Sequence, residues 1–416
     1  MKRLLFLSIF FLLYSCATNY GETEFRDKYM FSVKLDNTNF TENISFESKM
    51  GLPIIPIKIE GKTYNFLFDT GALTTVSPKF KNILSSIPEK SNKSISDASG
   101  LKGVGDFFIL PKLTIGNIDF SHIGVYVQDL STFNNHCVNI DGIIGANLLK
   151  TAFWKINFET KMISFSDNKN SIDISQPGLI LSFKETFGGN PISKLKWNEN
   201  EFWAMWDTGY NSSLQISDSL FFKNKTKKSS YTSGKGIGIA SLYSDSNSIK
   251  FTEQYTALLD NLYFVNEKIR TNTSHNKFLL EKIQIQIAPY PAPALLGTKL
   301  IKTGKEVLFD WKDQKIIFKE IPSLEKPEET FGFTPFKIQD AIIITSIWNN
   351  STAEEKGLSI GDTISAINGI NLEPSSLNKW CENFVSFKEK DSISLIIKKG
   401  KERKAYTLKK YPIFNK

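Results

Sequence analysis

The strongest constraint on the fold is an internal repeat. The stretch PIIPIKIEGKTYNFLFDTG, Pro53 to Gly71, aligns without a gap with PISKLKWNENEFWAMWDTG, Pro191 to Gly209. Pro53 matches Pro191, Ile54 matches Ile192, Lys58 matches Lys196, and Asp-Thr-Gly is identical in both. The register continues downstream. SGLKGVG (Ser99 to Gly105) answers SGKGIG (Ser233 to Gly238), and DGIIGANLL (Asp141 to Leu149) answers PALLGTKLI (Pro293 to Ile301). INFETKMISF (Ile156 to Phe165) answers LFDWKDQKIIF (Leu308 to Phe318). Four features in one order define two similar lobes, 29–170 and 171–321, before any single element is assigned.

Each repeat reads as a hairpin that ends on an aspartate. Glu60-Gly61 and Asn198-Glu199-Asn200 are the expected turns, and the second strands, YNFLF and FWAMW, carry Asp69 and Asp207 at their ends. Gly71 and Gly209 let the backbone turn sharply, and the hydroxyls of Thr70 and Thr208 are suited to brace that turn by bonding backbone groups. Singly, each aspartate reads equally as turn punctuation bonded to backbone amides. As a pair, two carboxylates brought together would share one proton, because like charges a few ångströms apart do not both ionise easily. A water between them is then activated by the ionised member, while the protonated member polarises a carbonyl. Short β-branched and aromatic runs between Gly, Asn, Asp and Ser clusters make the chain mostly β.

This constellation resembles the aspartic peptidases, both retropepsin-like and pepsin-like, over roughly Phe46 to Ile321. The resemblance implies a two-lobed acid-protease β-barrel fold with Asp69 and Asp207 as the catalytic pair. It implies supporting loops at Thr70, Gly71, Ala72, Thr208, Gly209 and Tyr210, with apolar-Gly motifs packed beneath them at Ile144-Gly145 and Leu296-Gly297. Flaps are expected at Gly103, Val104 and Gly105 and at Gly236, Ile237 and Gly238. The substrates it implies are proteins or peptides, and no cofactor or metal is expected. Tyr210 departs from the small or hydroxyl residue usual there, and is expected to crowd the dyad or close a subsite. The alternative is a catalytically inactive peptide-binding or scaffold protein on the same fold.

Beyond a Pro- and Glu-rich linker, 322–329, the pattern changes. Residues 330–411 resemble an α+β PDZ domain: Phe331-Gly332-Phe333 matches the loop before the binding strand, and AEEKGLSIGDTISAING, Ala353 to Gly369, matches the short helix and turns. SSLNKWCENFVSF reads as the groove helix. The resemblance implies a nest of amides near Phe331, Gly332 and Phe333 that captures the C-terminal carboxylate of a peptide, with Leu377 facing its side chains. A module used only for packing is the other reading.

At the N-terminus, Lys2 and Arg3 precede LLFLSIFFLLYSC, which is too short for a comfortable membrane span. Leu13-Tyr14-Ser15-Cys16 resembles a bacterial lipobox, so residues 1–16 are expected to be a lipoprotein signal peptide with lipid on Cys16, and 17–28 a tether. An ordinary signal peptide with an incidental cysteine is the alternative. The expected place is the bacterial cell envelope, membrane-attached through the lipid anchor alone, as a monomer. Cys137 and Cys381 fall in different domains and are expected to be separate buried thiols. The net charge of +8 is spread along the chain without a dense basic run, so nucleic acid is not an expected partner. His122, His136 and His275 show no metal-ligand spacing.

Overall fold

The computed structural model describes residues 24–87, 93–96, 102–131, 133, 137–227, 229–236, 252–265, 270–271, 278–280, 282–288, 294–323, 329–338, 340–372, 380–382, 387, 389–400 and 402–414. The expected lipid site Cys16, the flap residues Ile237 and Gly238, and Leu377 lie outside them.

The repeated hairpins form as expected. Leu52–Ile59 pairs antiparallel with Lys62–Phe68. The two residues between them, Glu60 and Gly61, have φ of 49° and 76°, the left-handed pair that a tight two-residue hairpin requires. In the second repeat Pro191–Trp197 pairs with Asn200–Asp207. Asn200 opposes Trp197 inside the ladder, so the turn is Asn198-Glu199 alone, with Asn198 at φ 53°. In both lobes a short strand from the apolar-Gly motif then lies parallel to the second hairpin strand, Gly142–Ile144 beside Lys62–Phe68 and Ala294–Gly297 beside Asn200–Asp207.

The last repeated feature joins the lobes. Phe153–Asn157 and Glu306–Asp310 pair antiparallel at the centre of one seven-stranded sheet, with Trp154 opposite Phe309 and Ile156 opposite Val307. A single apolar core runs through both lobes and includes Phe66, Phe68, Trp154 and Phe165 from the first and Trp206, Phe264, Phe309 and Phe318 from the second. Burial of such aromatic side chains removes about 150–250 Å² each from water, which makes this continuous core the main reason the lobes stay together.

The C-terminal domain has its own core around Ile344, Ile364, Leu395, Ile397 and Trp380. Its strand Phe333–Ile338 pairs with Ala341–Trp348, and Ser392–Lys399 forms a closing hairpin with Glu402–Lys409. Residues 380–382 of the expected groove helix are helical. The domain is not a separate bead. Ala341–Trp348 also pairs with Ser230–Gly236 of lobe 2, so one sheet runs from the second lobe into this domain.

Two further expectations need correction. Cys137 and Cys381 are not separate thiols: they form a disulfide across 244 residues of sequence, with their Cα atoms 5.3 Å apart. The domains that hold them are distant in sequence, and packing of the C-terminal domain against lobe 1 brings them together. The tether also ends earlier than expected. Arg26–Met30 is a π-helical turn, and Phe25, Tyr29 and Met30 are buried against Phe107, Ile109 and Tyr126 of lobe 1.

Candidate active site

Asp69 and Asp207 sit at the ends of equivalent strands, and the fold brings their side chains together. Both are buried, each with 8% of its surface exposed, and their carboxyls are hydrogen-bonded to one another. Each carboxylate also accepts an amide from its own loop: Gly71 N donates to Asp69 Oδ1 and Gly209 N to Asp207 Oδ1, both at 2.8 Å. The glycines serve the opposite lobe. A Cβ at Gly71 would stand within 2.7 Å of both Asp207 carboxylate oxygens, and one at Gly209 would collide with the Asp69 carboxyl. Only a residue without a side chain lets the two loops approach this closely.

The threonines do more than brace their own turns. Thr70 Oγ1 donates to Trp206 O at 2.6 Å and accepts from Thr208 N at 3.1 Å. Reciprocally, Thr208 Oγ1 donates to Phe68 O at 2.8 Å and accepts from Thr70 N at 3.0 Å. Each hydroxyl therefore satisfies the backbone of the other lobe, in a fully buried position where an unmade bond would cost about 1–3 kcal/mol.

Beneath the loops, Asp69 N donates to Ile144 O at 3.0 Å, and Ala146 N donates to Ala72 O at 2.8 Å. In lobe 2, Gly297 N donates to Ser213 O at 2.9 Å and Thr298 N to Tyr210 O at 2.7 Å. Gly145 and Gly297 have no room for a side chain, because the loop backbone lies directly on them. Ile144 and Leu296 are fully buried.

Tyr210 does not crowd the dyad. Its ring lies against Gly297, and its hydroxyl donates to Gln286 Oε1 at 2.7 Å, on the strand Ile283–Ala288 of its own lobe. Two further residues were missed in the sequence. Asn190 Nδ2 reaches from lobe 2 to donate to the carbonyls of Thr70 and Ala72, both at 3.1 Å. Asn147 Oδ1 accepts from Thr74 N and Thr74 Oγ1, both at 2.8 Å, while its Nδ2 donates to Met30 O and Gly124 O. The available signals were weak: Asn190 directly precedes the repeat, and Asn147 follows the apolar-Gly motif.

Burial raises the pKa of both carboxyls by penalising their charged forms. For Asp69, the bond with Asp207 and the amides of Gly71, Ala72 and Gly209 pull the other way. For Asp207, the charge of Asp69 adds to burial and the shift is large. The pair therefore retains one proton well above the ordinary aspartate range and titrates as a unit. Among the described residues no group of three or more His, Cys, Asp or Glu side chains is placed to hold a metal ion.

The first flap residues Gly103, Val104 and Gly105 lie in the hairpin Lys93–Ser96 with Lys102–Ile115, where Gly103 opposes Ile95 and Gly105 opposes Lys93. Gly236 ends the strand Ser230–Gly236, which pairs with Thr252–Leu259. In the C-terminal domain Phe331 and Phe333 are buried in the core. Gly332, at φ 89°, donates its amide to Thr330 Oγ1 at 3.0 Å, so that amide is already occupied in the expected carboxylate nest.

Residues 55–148 match the family model described as Aspartyl protease. Solved structures similar to this chain include a soybean globulin, an aspartic proteinase and a retropepsin-like aspartic protease. Basic 7S globulin from soybean shares 13% identity at a TM-score of 0.38, with 67% of this chain and 94% of that one covered. The aspartic proteinase from Irpex lacteus shares 12% at 0.39, covering 68% and 98%. A retropepsin-like aspartic protease from Rickettsia conorii shares 16% at 0.21, covering 33% and 95%. A search of curated protein sequences finds no match to this chain.

Proposed function

We propose that this protein is an aspartic endopeptidase whose dyad is Asp69 and Asp207. The observation that carries this reading is the mutual burial of two carboxyls, one from each lobe, each packed against the loop glycine of the other, an arrangement that favours one shared proton. In this mechanism a water binds between the carboxyls. The ionised carboxylate takes a proton from it as it attacks the peptide carbonyl carbon, and the protonated partner donates to the carbonyl oxygen. The tetrahedral intermediate then collapses with proton transfer to the leaving amine. No covalent enzyme intermediate and no metal is required. The flap hairpin of lobe 1 covers the substrate.

The C-terminal domain is proposed as a PDZ-like module for substrate recognition or regulation. The strand Phe333–Ile338 supports this, since it pairs only with Ala341–Trp348 among the described strands and keeps an edge on which a peptide can add. The protein is proposed to be exported to the cell envelope as a monomer anchored through lipid on Cys16. The disulfide supports that placement, because such bonds persist mainly in oxidising compartments.

Digestion of a peptide library tests the reading. The wild type is expected to cleave, and Asp69→Asn and Asp207→Asn each to lose about 10²–10⁴-fold in kcat/KM. Equal inertness of all three proteins from acidic to neutral pH would overturn it.

A further inference from the structure

Three connections close the molecule into a ring. The shared sheet joins lobe 1 to lobe 2 through Phe153–Asn157 and Glu306–Asp310. The hairpin Ser230–Gly236 with Thr252–Leu259 joins lobe 2 to the C-terminal domain, with Gly234 opposite Trp348, Lys235 opposite Ile347 and Gly236 opposite Ser346. Asn349 strengthens that joint: its amide donates to Ser233 O at 2.9 Å and its Nδ2 to Ser233 Oγ at 2.8 Å. The disulfide Cys137–Cys381 joins the C-terminal domain back to lobe 1. Met50 of lobe 1 also packs against the C-terminal core, and its carbonyl accepts from Asn211 Nδ2 at 3.3 Å. Asn211 follows Tyr210 in the loop of Asp207.

By sheet topology the lobe-2 hairpin is the counterpart of the lobe-1 flap hairpin, since Thr252–Leu259 pairs with Ile283–Ala288 as Lys102–Ile115 pairs with Ile118–Val127. The matched glycines nevertheless fall on the first hairpin strand in lobe 2 and on the second in lobe 1. Their situations differ. Lys93–Ser96 pairs only with its own partner strand among the described strands, whereas Ser230–Gly236 is built into the sheet of another domain. Side chains at Gly234 and Gly236 would strike the Ile347 carbonyl and Ser346, so these glycines fit the close approach of the captured strand. Both cysteines are half-buried, which leaves the disulfide within reach of a small reductant.

We infer that Cys137–Cys381 is a redox-sensitive positioning clamp that holds the lobe-2 hairpin as a fixed wall of the substrate cleft. The part concerning the cleft rests on the peptidase reading. A dithiol reductant supplies two electrons and two protons, cleaves the S–S bond to two thiols, and is itself oxidised to a disulfide. The ring then opens at its one covalent closure, and the C-terminal domain and the hairpin it carries are free to shift together. The dyad stays assembled, because the Thr70 and Thr208 bonds do not pass through the clamp.

The test uses the folded protein with and without mild dithiol treatment, followed by hydrogen exchange and peptide cleavage. Reduction is expected to speed exchange at Ser230–Gly236 and Ala341–Trp348 by about tenfold or more, as local opening becomes easier. KM is expected to rise about fivefold, with kcat and its pH profile within about twofold, the signature of lost substrate positioning rather than lost chemistry. Cys137→Ser should behave as the reduced protein and ignore the reductant. Unchanged exchange on reduction overturns the clamp. Faster exchange with unchanged KM overturns its role at the cleft. Faster exchange with no cleavage in either state upholds the clamp and refutes the peptidase reading instead.

Discussion

The two lobes follow one backbone plan but finish it with different polar groups. In lobe 1 the loop after Asp69 is held by two asparagines, Asn147 from its own lobe and Asn190 from the other. In lobe 2 the same place is filled by a tyrosine bonded to Gln286, and Tyr210 O accepts from both Thr298 N and Thr298 Oγ1. Thr75 opposes Ile143 while Gln215 opposes Leu295, so the second loop is two residues longer between its aspartate and its next strand. The outer faces diverge as well. Ile54 and Leu67 are buried under Leu130, Val138 and Ile140, whereas their counterparts Ile192 and Met205 are half-buried and Trp203 is exposed. Identity is kept at the Asp-Thr-Gly loops and relaxed elsewhere, including the shared sheet, where Trp154 faces Phe309. The symmetry that matters is therefore confined to the Asp-Thr-Gly loops.

The sharpest way to break this comparison is at the glycines. Gly71→Ala and Gly209→Ala should each abolish peptide cleavage and cost about 1–3 kcal/mol of stability through overpacking against the facing carboxyl. Turnover and urea unfolding measure the two effects, and a well-folded, active Gly209→Ala would show that the loops are not equivalent. Next come the threonines. Thr70→Val and Thr208→Val each strand a carbonyl and an amide of the opposite lobe, and should lose about 1–3 kcal/mol apiece. A marked difference between the two in thermal unfolding would locate asymmetry inside the shared contact.

The pH dependence of stability probes the pair itself. Both folded-state values are raised above the ordinary 3.8, so the fold favours the protonated form. The contribution is complete below the ordinary aspartate range and is lost as pH rises through the raised values. Unfolding free energy should therefore fall as pH climbs above about 4, and Asp207→Asn should flatten that slope. An unchanged slope in the variant would mean that other groups produce it. The smallest effect is expected at the periphery: Tyr210→Phe should cost about 0.5–1.5 kcal/mol and leave cleavage near wild type. Strong inactivation there would show that the phenol serves the dyad after all.

Much of this arrangement was legible in the sequence because it is written twice. The repeat carried the hairpins, both aspartates, the loop glycines and the apolar-Gly motifs. The rest was hidden for physical reasons. Asn190 aligns with Leu52, so comparison of the halves gives it no partner. The capture of Ser230–Gly236 by Ala341–Trp348 is made by backbone groups, which every residue carries. The disulfide depends on how one domain lies against another, and the spacing of Cys137 and Cys381 along the chain carries none of that. Tyr210 was visible as a departure, but its direction was set by a glutamine 76 residues downstream.

The crossed threonine bonds also bear on how such a molecule can change over time. Neither half owns its site: the hydroxyl that completes one loop is encoded in the other repeat. A fragment carrying either lobe alone keeps its aspartate but leaves that loop's backbone uncapped. Any substitution at Thr70 is felt first at Trp206 and Thr208, in the other lobe. The two copies are thus free to drift apart over most of their length, yet at this one seam they must be inherited, and altered, together.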